Sequence, residues 1–160
     1  MIYLQLLLLL VIANGAPIIA RNLLGDHFNT PVDLGTVIKK DHRPLFGPTK
    51  TVRGIFAALL ITPIVANLIG IGWFVGLFVA MYAMLGDLLS SFIKRRLNIE
   101  PSGKALGLDQ IPESLLPLLV VMGHVEITFI EVILLVAVFM VVELNLSKIL
   151  FHLHIRKRPY

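Results

Sequence analysis

The stretch GIFAALLITPIVANLIGIGWFVGLFVAMYAMLGDLLSSFI occupies residues 54–93 and decides the fold class. It is roughly 40 residues long and carries a single charged side chain, Asp87, whereas one helical crossing of a bilayer needs about 20 apolar residues. Gly70-Ile71-Gly72 lies near its middle, where a tight turn is needed. The stretch therefore predicts two membrane-spanning helices joined by a short turn.

The composition of the whole chain is typical of a membrane protein. Of the 160 residues, 57% are hydrophobic and only 15% are charged, which is more apolar material than a soluble core needs. The formal net charge of +4 is interpreted as topological anchoring at a membrane face. Because no nucleic-acid recognition module is visible, we expect no nucleic-acid partner. The chain has no cysteine, which excludes disulfides and thiol nucleophiles.

The lysine and arginine residues form three blocks that are separated by two long apolar stretches. Each stretch crosses the membrane twice and returns the chain to the side on which it began. All three blocks then share one face, which the positive-inside rule makes cytoplasmic, whereas four or six spans would divide them. The blocks are Arg21, Lys39, Lys40, Arg43, Lys50 and Arg53; Lys94, Arg95, Arg96 and Lys104; and Lys148, Arg156, Lys157 and Arg158.

We therefore predict a single domain over residues 1–160, an all-α polytopic integral membrane protein of five transmembrane helices. Its N-terminus lies outside and its C-terminus in the cytoplasm, with cytoplasmic loops at about 21–53 and 94–110. The first loop is either functional or disordered. The fourth span is short and contains Pro112 and Pro117, so it is either a tilted crossing or a half-helix buried in protein. The predicted spans are approximately 1–20, 54–70, 72–93, 111–123 and 127–147.

Polar side chains gather on one side of the third predicted helix, near its end. At 100° per residue, Ser91 lies about 40° from Asp87, and Lys94 about 20° from it on the other side. Arg95 lies about 80° away, so these side chains share a stripe if the helix continues to Arg95. Anchoring of the helix end explains the cations but not the acid. Because acids inside a membrane are costly and usually functional, we predict a functional role for Asp87.

Two further segments carry candidate functional residues. Asp109, in GLDQIPESLL (107–116), either caps a helix or joins Asp87 as an oxygen ligand of Mg²⁺. In LFGPTKTVRG (45–54), Lys50-Thr51 is similar to a phosphate-binding pair, although the spacing of a P-loop is absent.

As an ordered set, these motifs resemble the CDP-archaeol synthase family of CTP:lipid-phosphate cytidylyltransferases. GDLLSSFIKRRLNI (86–99) is followed by LDQ (108–110), and ANGAP (13–17), TPVDLG (30–35) and LFGPTKTVRG (45–54) precede them in the order of that family. The resemblance covers nearly the whole chain. The chain is more distantly similar to phosphatidate cytidylyltransferases, but it is much shorter and lacks their His-Gly-Gly element, which favours the archaeal-type family.

The resemblance implies a reaction in phospholipid biosynthesis in which CTP and a lipid phosphate give a CDP-lipid and pyrophosphate. It places the site at the cytoplasmic face of the cell membrane and makes Asp87 and Asp109 the catalytic residues that hold Mg²⁺. The residues do not distinguish archaetidic acid from phosphatidic acid as the lipid. The implied CTP and phosphate ligands are Lys50, Thr51, Arg53, Ser91, Lys94 and Arg95, with Asn14, Asp33 and Asp41 as additional candidates; Asn14 is alternatively a contact between helices.

Two other classes of function remain open at this point. A small carrier or channel would use Glu131, Glu143 and Asp87 as polar sites along a pathway. A carrier distributes such groups through the depth of the membrane, whereas an enzyme gathers them at one face, and Glu131 is the exception to the second pattern. A scaffold protein with topological charges only is disfavoured by Asp87, by the long polar loop and by the ordered motifs.

Overall fold

The structure is a computed structural model that describes residues 1–100, 103 and 105–153. Within this part of the chain, five α-helices account for most residues, and one small β-ribbon lies between the first two helices. The elements are α1 (Ile2–Leu24), β1 (Val37–Ile38), β2 (Arg43–Pro44), α2 (Val52–Leu68), α3 (Trp73–Arg96), α4 (Gln110–Val121) and α5 (Phe129–His152). Lys104 and the tail residues Arg156, Lys157 and Arg158, which belong to the predicted basic blocks, lie outside the described residues.

The five helices confirm the predicted order of helical elements, but the helix ends differ from the predicted spans. α1 continues to Leu24 and α3 to Arg96, beyond the predicted ends at residues 20 and 93. The extra turns contain Arg21 and the run Lys94-Arg95-Arg96. Cations favour the C-terminal end of a helix, where the helix dipole is negative, so the backbone continues past the point at which hydropathy falls.

Three of the helices are long and apolar enough to cross a membrane. These are α1, α3 and α5, with 23, 24 and 24 residues. α2 has 17 residues and α4 only 12. α4 is therefore about 18 Å long, against a hydrocarbon core of about 30 Å, which agrees with the shortness predicted for the fourth span. Pro112 lies in the first turn of α4, where proline is tolerated.

The helices form a bundle in which each packs on the next along the chain, and α1 also contacts α3, α4 and α5. The buried residues of α1 recur every three or four positions, as one face of a helix requires: Leu6, Leu9, Leu10, Ala13 and Ala16. Large apolar side chains cover much of the outer surface, as a lipid-facing surface requires, and include Phe56, Leu60, Leu68, Phe74 and Ile130.

Two glycines in α3 allow close approach of its neighbours. A Cβ atom at Gly76 would lie 2.4 Å from the Cβ of Ala66 in α2. A Cβ atom at Gly86 would lie 2.2 Å from the carbonyl oxygen of Pro112 in α4. Any side chain at these two positions would push the helices apart. The second contact holds the first turn of α4 directly beside Asp87.

The segment 25–51 is folded, so the structure does not support disorder, one of the two interpretations of the first polar loop. Its strands pair antiparallel, with Val37 opposite Pro44 and Ile38 opposite Arg43. The segment is closed at its ends because the N–H of Val32 donates to the carbonyl of Lys50 at 2.8 Å. This segment lies at the end of the bundle where α1, α3 and α5 finish and α2 and α4 begin, which we call the polar end.

Candidate active site

A cavity of about 610 Å³ opens at the polar end among all five helices and the segment 25–51. We call it the polar chamber. Its volume falls within the range of small-molecule sites, which is about 300–1,000 Å³. Of the residues singled out from the sequence, those that line the chamber are Asn14, Lys50, Thr51, Arg53, Asp87, Ser91, Lys94, Arg95 and Asp109.

The first charged pair in the chamber joins Lys50 to Asp87. The ammonium group of Lys50 donates a hydrogen bond to the Asp87 carboxylate, between the end of the segment 25–51 and the middle of α3. Burial lowers the pKa of Lys50, but the acidic side chains around it, Asp87 first, outweigh burial and raise that pKa. The lysine therefore carries its charge into the chamber at neutral pH.

The second charged pair joins Lys94 to Asp109. The Nζ of Lys94 lies 2.7 Å from Oδ1 of Asp109, and only 8% of the lysine side chain is exposed. Asp109 occupies the N-cap position of α4, yet its side chain makes no capping hydrogen bond. Of the two sequence interpretations of Asp109, the structure therefore does not support the helix cap. Its carboxylate faces the cations of α3 instead.

Two buried arginines complete the positive lining. Arg53 donates to the carbonyl oxygens of Gly25 at 2.8 Å and His27 at 2.5 Å, at the end of α1. Arg95 donates to the carbonyl oxygen of Glu100 at 2.9 Å. The side chains are 7% and 4% exposed, and within the described residues the Nε atom of each has no partner. A buried N–H without a partner is costly, so each guanidinium retains capacity for an anionic ligand.

Three neutral side chains also line the chamber. Thr51 caps α2, because its hydroxyl accepts from the N–H of Gly54 at 3.2 Å. Ser91 is buried beside the cations of α3. Asn14 donates to the carbonyl of Leu10 at 3.0 Å, within its own helix, and not to a neighbouring helix. Asn14 lines the chamber from α1.

Asp33 and Asp41, the remaining candidates, do not line the chamber and instead organise the segment 25–51. The carboxylate of Asp33 accepts from the N–H groups of Gly35, Phe46 and Gly47 at 3.1, 2.9 and 2.8 Å. Burial raises the pKa of Asp33, but these backbone hydrogen bonds outweigh it and lower that pKa. The buried carboxylate therefore fixes the turn that precedes Lys50.

Two arginines that sequence reasoning missed attach this segment to α3. The Nη1 of Arg43 donates to the carbonyl oxygens of Arg95 and Arg96 at 3.2 and 2.9 Å, where α3 ends. In return, Arg96 donates to Asp41 at 2.9 Å and to the carbonyl of Pro44 at 2.5 Å. The last carbonyls of a helix have no partner within it, so an arginine from elsewhere satisfies them. These contacts hold the segment over the chamber.

Glu113 and Asp26 are acidic residues of the chamber that sequence reasoning missed. Glu113 lies on α4, and its carboxyl group lies close to that of Asp87. The spacing of Gln110, Glu113 and Ser114 places these polar side chains on one face of a helix, and this signal was present in the sequence. Gln110 extends the network, because its Nε2 donates to Glu143 of α5 at 2.9 Å.

Glu131, the residue that favoured a carrier, lies at the other end of the bundle. Its carboxylate accepts from the N–H of Thr128 at 2.7 Å, and its own N–H donates to the Thr128 hydroxyl at 3.4 Å. This reciprocal pair is a capping box at the start of α5. Tyr3 of α1 donates a further hydrogen bond to the same carboxylate. The structure therefore explains Glu131 as a helix cap without a pathway.

The carboxylates of the chamber fit a magnesium ion that is completed by a ligand. Mg²⁺ prefers oxygen ligands and is often held by one or two carboxylates together with substrate phosphates. Asp87 and Asp109 both line the chamber. Within the described part of the chain, no group of three or more His, Cys, Asp or Glu side chains is arranged to hold a metal alone. The donor set suits a metal shared with phosphate rather than a closed protein cage.

The fold and the chamber together define a multi-pass membrane protein of the intramembrane-enzyme class. Apolar helices surround a chamber in which cations and carboxylates lie on facing elements. A solved structure of an intramembrane enzyme for archaeal membrane lipid biosynthesis superimposes with a TM-score of 0.75 at 29% sequence identity. The match covers 89% of this chain and 90% of that one.

The sequence relationships are equally extensive. The family model described as CarS-like: CDP-archaeol synthase matches residues 1–160, and the chain belongs to this family. A CDP-archaeol synthase of Sulfurisphaera tokodaii is 29% identical over 156 residues, which covers 94% of this chain and 90% of the relative. One of Saccharolobus islandicus is 31% identical over 156 residues, covering 93% and 89%. These matches confirm the family resemblance seen in the sequence.

Proposed function

We propose that the chain performs the CDP-archaeol synthase reaction in the polar chamber, with CTP and an archaetidic acid-type lipid phosphate as substrates. Its membership of the family supports the enzyme class, which is a membrane-embedded CTP-dependent nucleotidyltransferase acting on a lipid phosphate. The single observation that supports the location is that five cations and five acids line one cavity. The cations are Arg21, Lys50, Arg53, Lys94 and Arg95, and the acids are Asp26, Asp87, Asp109, Glu113 and Glu143.

The chemistry requires positioning and charge neutralisation rather than a protein nucleophile. A phosphate oxygen of the lipid attacks the α-phosphorus of CTP, and the bond from that phosphorus to the β-phosphate oxygen breaks. The electron pair leaves with pyrophosphate, so the products are a CDP-lipid and pyrophosphate. The residues therefore have two tasks, which are to align the two anionic substrates and to offset their mutual repulsion.

The cations of the chamber are suited to both tasks. Arg53 and Arg95 are held by backbone carbonyls and present planar donors, which match phosphate oxygens. Lys50 and Lys94 pair with carboxylates in this structure and would turn to phosphates on binding. The hydroxyls of Ser91 and Thr51 and the amide of Asn14 supply neutral hydrogen-bonding groups at the same surface.

Asp87 and Asp109 are the residues that would hold Mg²⁺. A magnesium ion bound there would neutralise triphosphate charge and stabilise the leaving pyrophosphate. In this structure each of the two carboxylates neutralises one lysine, Asp87 pairing with Lys50 and Asp109 with Lys94. Glu113, which lies close to Asp87, would orient that carboxylate.

The proposed topology follows the sequence prediction. Five spans, with α2 and α4 as short crossings, place the N-terminus outside and the polar end at the cytoplasm. The cations of the polar end, including Arg21, Lys39, Arg43 and Lys94, support this orientation. The chamber would then open to the compartment that contains CTP.

The experiment that tests the proposal uses purified protein in detergent with radiolabelled CTP and Mg²⁺. Unsaturated archaetidic acid and phosphatidic acid are offered separately, and label is measured in the organic phase. Label with archaetidic acid supports the proposal, and the ratio between the two lipids defines the preference. No lipid-linked label with either substrate, from protein that binds CTP, would contradict it.

A further inference from the structure

The four pairs of helices that follow one another along the chain are each joined by a close contact or a hydrogen bond. In α1–α2, a Cβ atom at Gly54 would lie 3.0 Å from the side chain of Pro17. The joints α2–α3 and α3–α4 have the still closer contacts described at Gly76 and Gly86. In α4–α5, Gln110 donates to Glu143 at 2.9 Å. Each of these four pairs is therefore held together at a specific contact.

The contact between α1 and α5 differs from these four at Gly15. This glycine lines the cleft between the two helices, yet nothing lies within 4 Å of the position that its Cβ would occupy. The walls of the cleft are largely apolar and include Val11, Phe139, Leu146 and Leu150. We call this cleft the α1–α5 seam.

The seam is continuous with the polar chamber. Asn14, Ile18 and Glu143 line both cavities, so a molecule lying in the seam would meet the chamber at these residues. The carboxylate of Glu143 is bonded on both oxygens, to Gln110 at 2.9 Å and to Ser147 at 3.0 Å. An apolar cleft thus leads directly into a cationic chamber.

The depth of the seam matches the region of a leaflet where the lipid chains begin. Gly15 precedes the end of α1 by nine residues, and Leu146 precedes the end of α5 by six. At 1.5 Å per residue these positions lie about 14 Å and about 9 Å from the polar end. In a hydrocarbon core of about 30 Å, both lie within the half nearest the chamber.

We propose that the lipid phosphate reaches the polar chamber sideways from the bilayer, with its phosphate in the chamber and the first part of a chain in the α1–α5 seam at Gly15. The inference rests on the proposed function and adds its route and its hydrocarbon subsite. A lipid with long chains cannot leave the bilayer without exposing a large apolar surface to water. Lateral access moves only the phosphate into a polar environment, where the cations of the chamber receive it.

The test narrows the seam and measures the two substrates separately. Gly15→Leu places a branched side chain where the structure has open space, and Gly123→Leu is the matched control. Gly123 also has nothing within 4 Å of its Cβ position, but it lies in the turn at the opposite end of the bundle. We expect Gly15→Leu to raise KM for archaetidic acid about tenfold, the equivalent of roughly two lost methylene contacts. KM for CTP and the binding of labelled CTP without lipid should stay at the wild-type values.

A short-chain phosphatidic acid, used below its micellar concentration, provides a second comparison. It reaches the chamber from water, so Gly15→Leu should leave its KM unchanged. If Gly15→Leu does not bind CTP, Leu146→Trp narrows the seam from the α5 side and is read in the same way. A wild-type KM for archaetidic acid in the CTP-binding variant would overturn the seam proposal while leaving the proposed function intact. Wild-type protein that makes no labelled lipid would overturn the function itself.

Discussion

Asp109 stands at the N-cap of α4, but its carboxylate contacts Nζ of Lys94 at 2.7 Å and not the backbone of its own helix. Asp109 therefore lies at the start of α4 but forms its ion pair with a residue near the end of α3. The same arrangement recurs at Lys50, which is placed by the segment before α2 and pairs with Asp87 of α3. Both pairs cross between elements, and both lie in the polar chamber.

We predict that Asp109→Ser retains the fold but loses activity. Asp109 makes no capping hydrogen bond, so serine should leave the start of α4 intact. The thermal midpoint should fall, because the buried Lys94 loses its partner, but unfolding should remain cooperative. Loss of a carboxylate that holds charge at the reacting phosphates should lower kcat by about two orders of magnitude. The checks are a thermal unfolding curve and the CTP assay side by side, and wild-type turnover by the serine variant would contradict a role beyond the helix end.

Asp87→Asn should abolish turnover while insertion and folding remain intact. The amide keeps the size of the side chain but cannot hold a cation, so we expect kcat to fall by at least about a hundredfold. Glu126→Gln is the matched control, because Glu126 is exposed in the turn between α4 and α5. Activity is compared at equal expression in membranes, with gel filtration in detergent as the measure of folding. Asp87→Asn activity equal to that of Glu126→Gln would refute the metal assignment.

Arg43→Ala should loosen the segment 25–51 without altering the helices. The substitution removes two hydrogen bonds to the last carbonyls of α3, and each bond from a charged donor contributes about 2 kcal/mol. We expect faster limited proteolysis of this segment and a higher KM for CTP, because Lys50 lies at its end. Lys39→Ala, an exposed lysine of the same segment, is the control and should be cleaved at the wild-type rate.

The order of the segment 25–51 should decrease in acid because of Asp33. Its pKa is lowered in the folded protein, so its contribution is complete above the ordinary aspartate value of about 3.9 and is lost as pH falls through the lowered value. Protease sensitivity between pH 5 and the acid range, measured with an acid-active protease, tests this. Asp33→Asn should be sensitive already at neutral pH, and a pH response unchanged by this substitution would assign the effect to another group.

Glu131→Gln should preserve catalysis and reduce stability. The substitution weakens the capping box of α5 and the contact with Tyr3, so the thermal midpoint should fall. The chemistry lies at the polar end, so kcat and both KM values should remain those of the wild type. A large loss of turnover, with the thermal midpoint unchanged, would revive a function for this acid along a pathway through the membrane.

The roles of Glu113, Arg43 and Arg96 could not be predicted from the sequence. Glu113 has the helical spacing of a polar face, but only its contact with Asp87 identifies which face meets the chamber. Arg43 and Arg96 were interpreted as general anchors because a basic residue near a membrane face is common. Their use as partners of specific carbonyls depends on the path of the segment 25–51, which no local pattern encodes.

Reasoning from sequence alone predicted the helical class, the five helices in order, the turns within the two long apolar stretches and nine of the polar residues that line the chamber. Those features depend on local hydropathy, charge and short motifs, which act over one or two turns of a helix. Four features could be seen only in the tertiary structure. They are the true helix ends, the lysine–carboxylate pairs, the cap formed by Glu131 and the open α1–α5 seam. These depend on how closely helices approach one another, and that distance is set by contacts such as Gly86 against Pro112 between residues far apart in the chain.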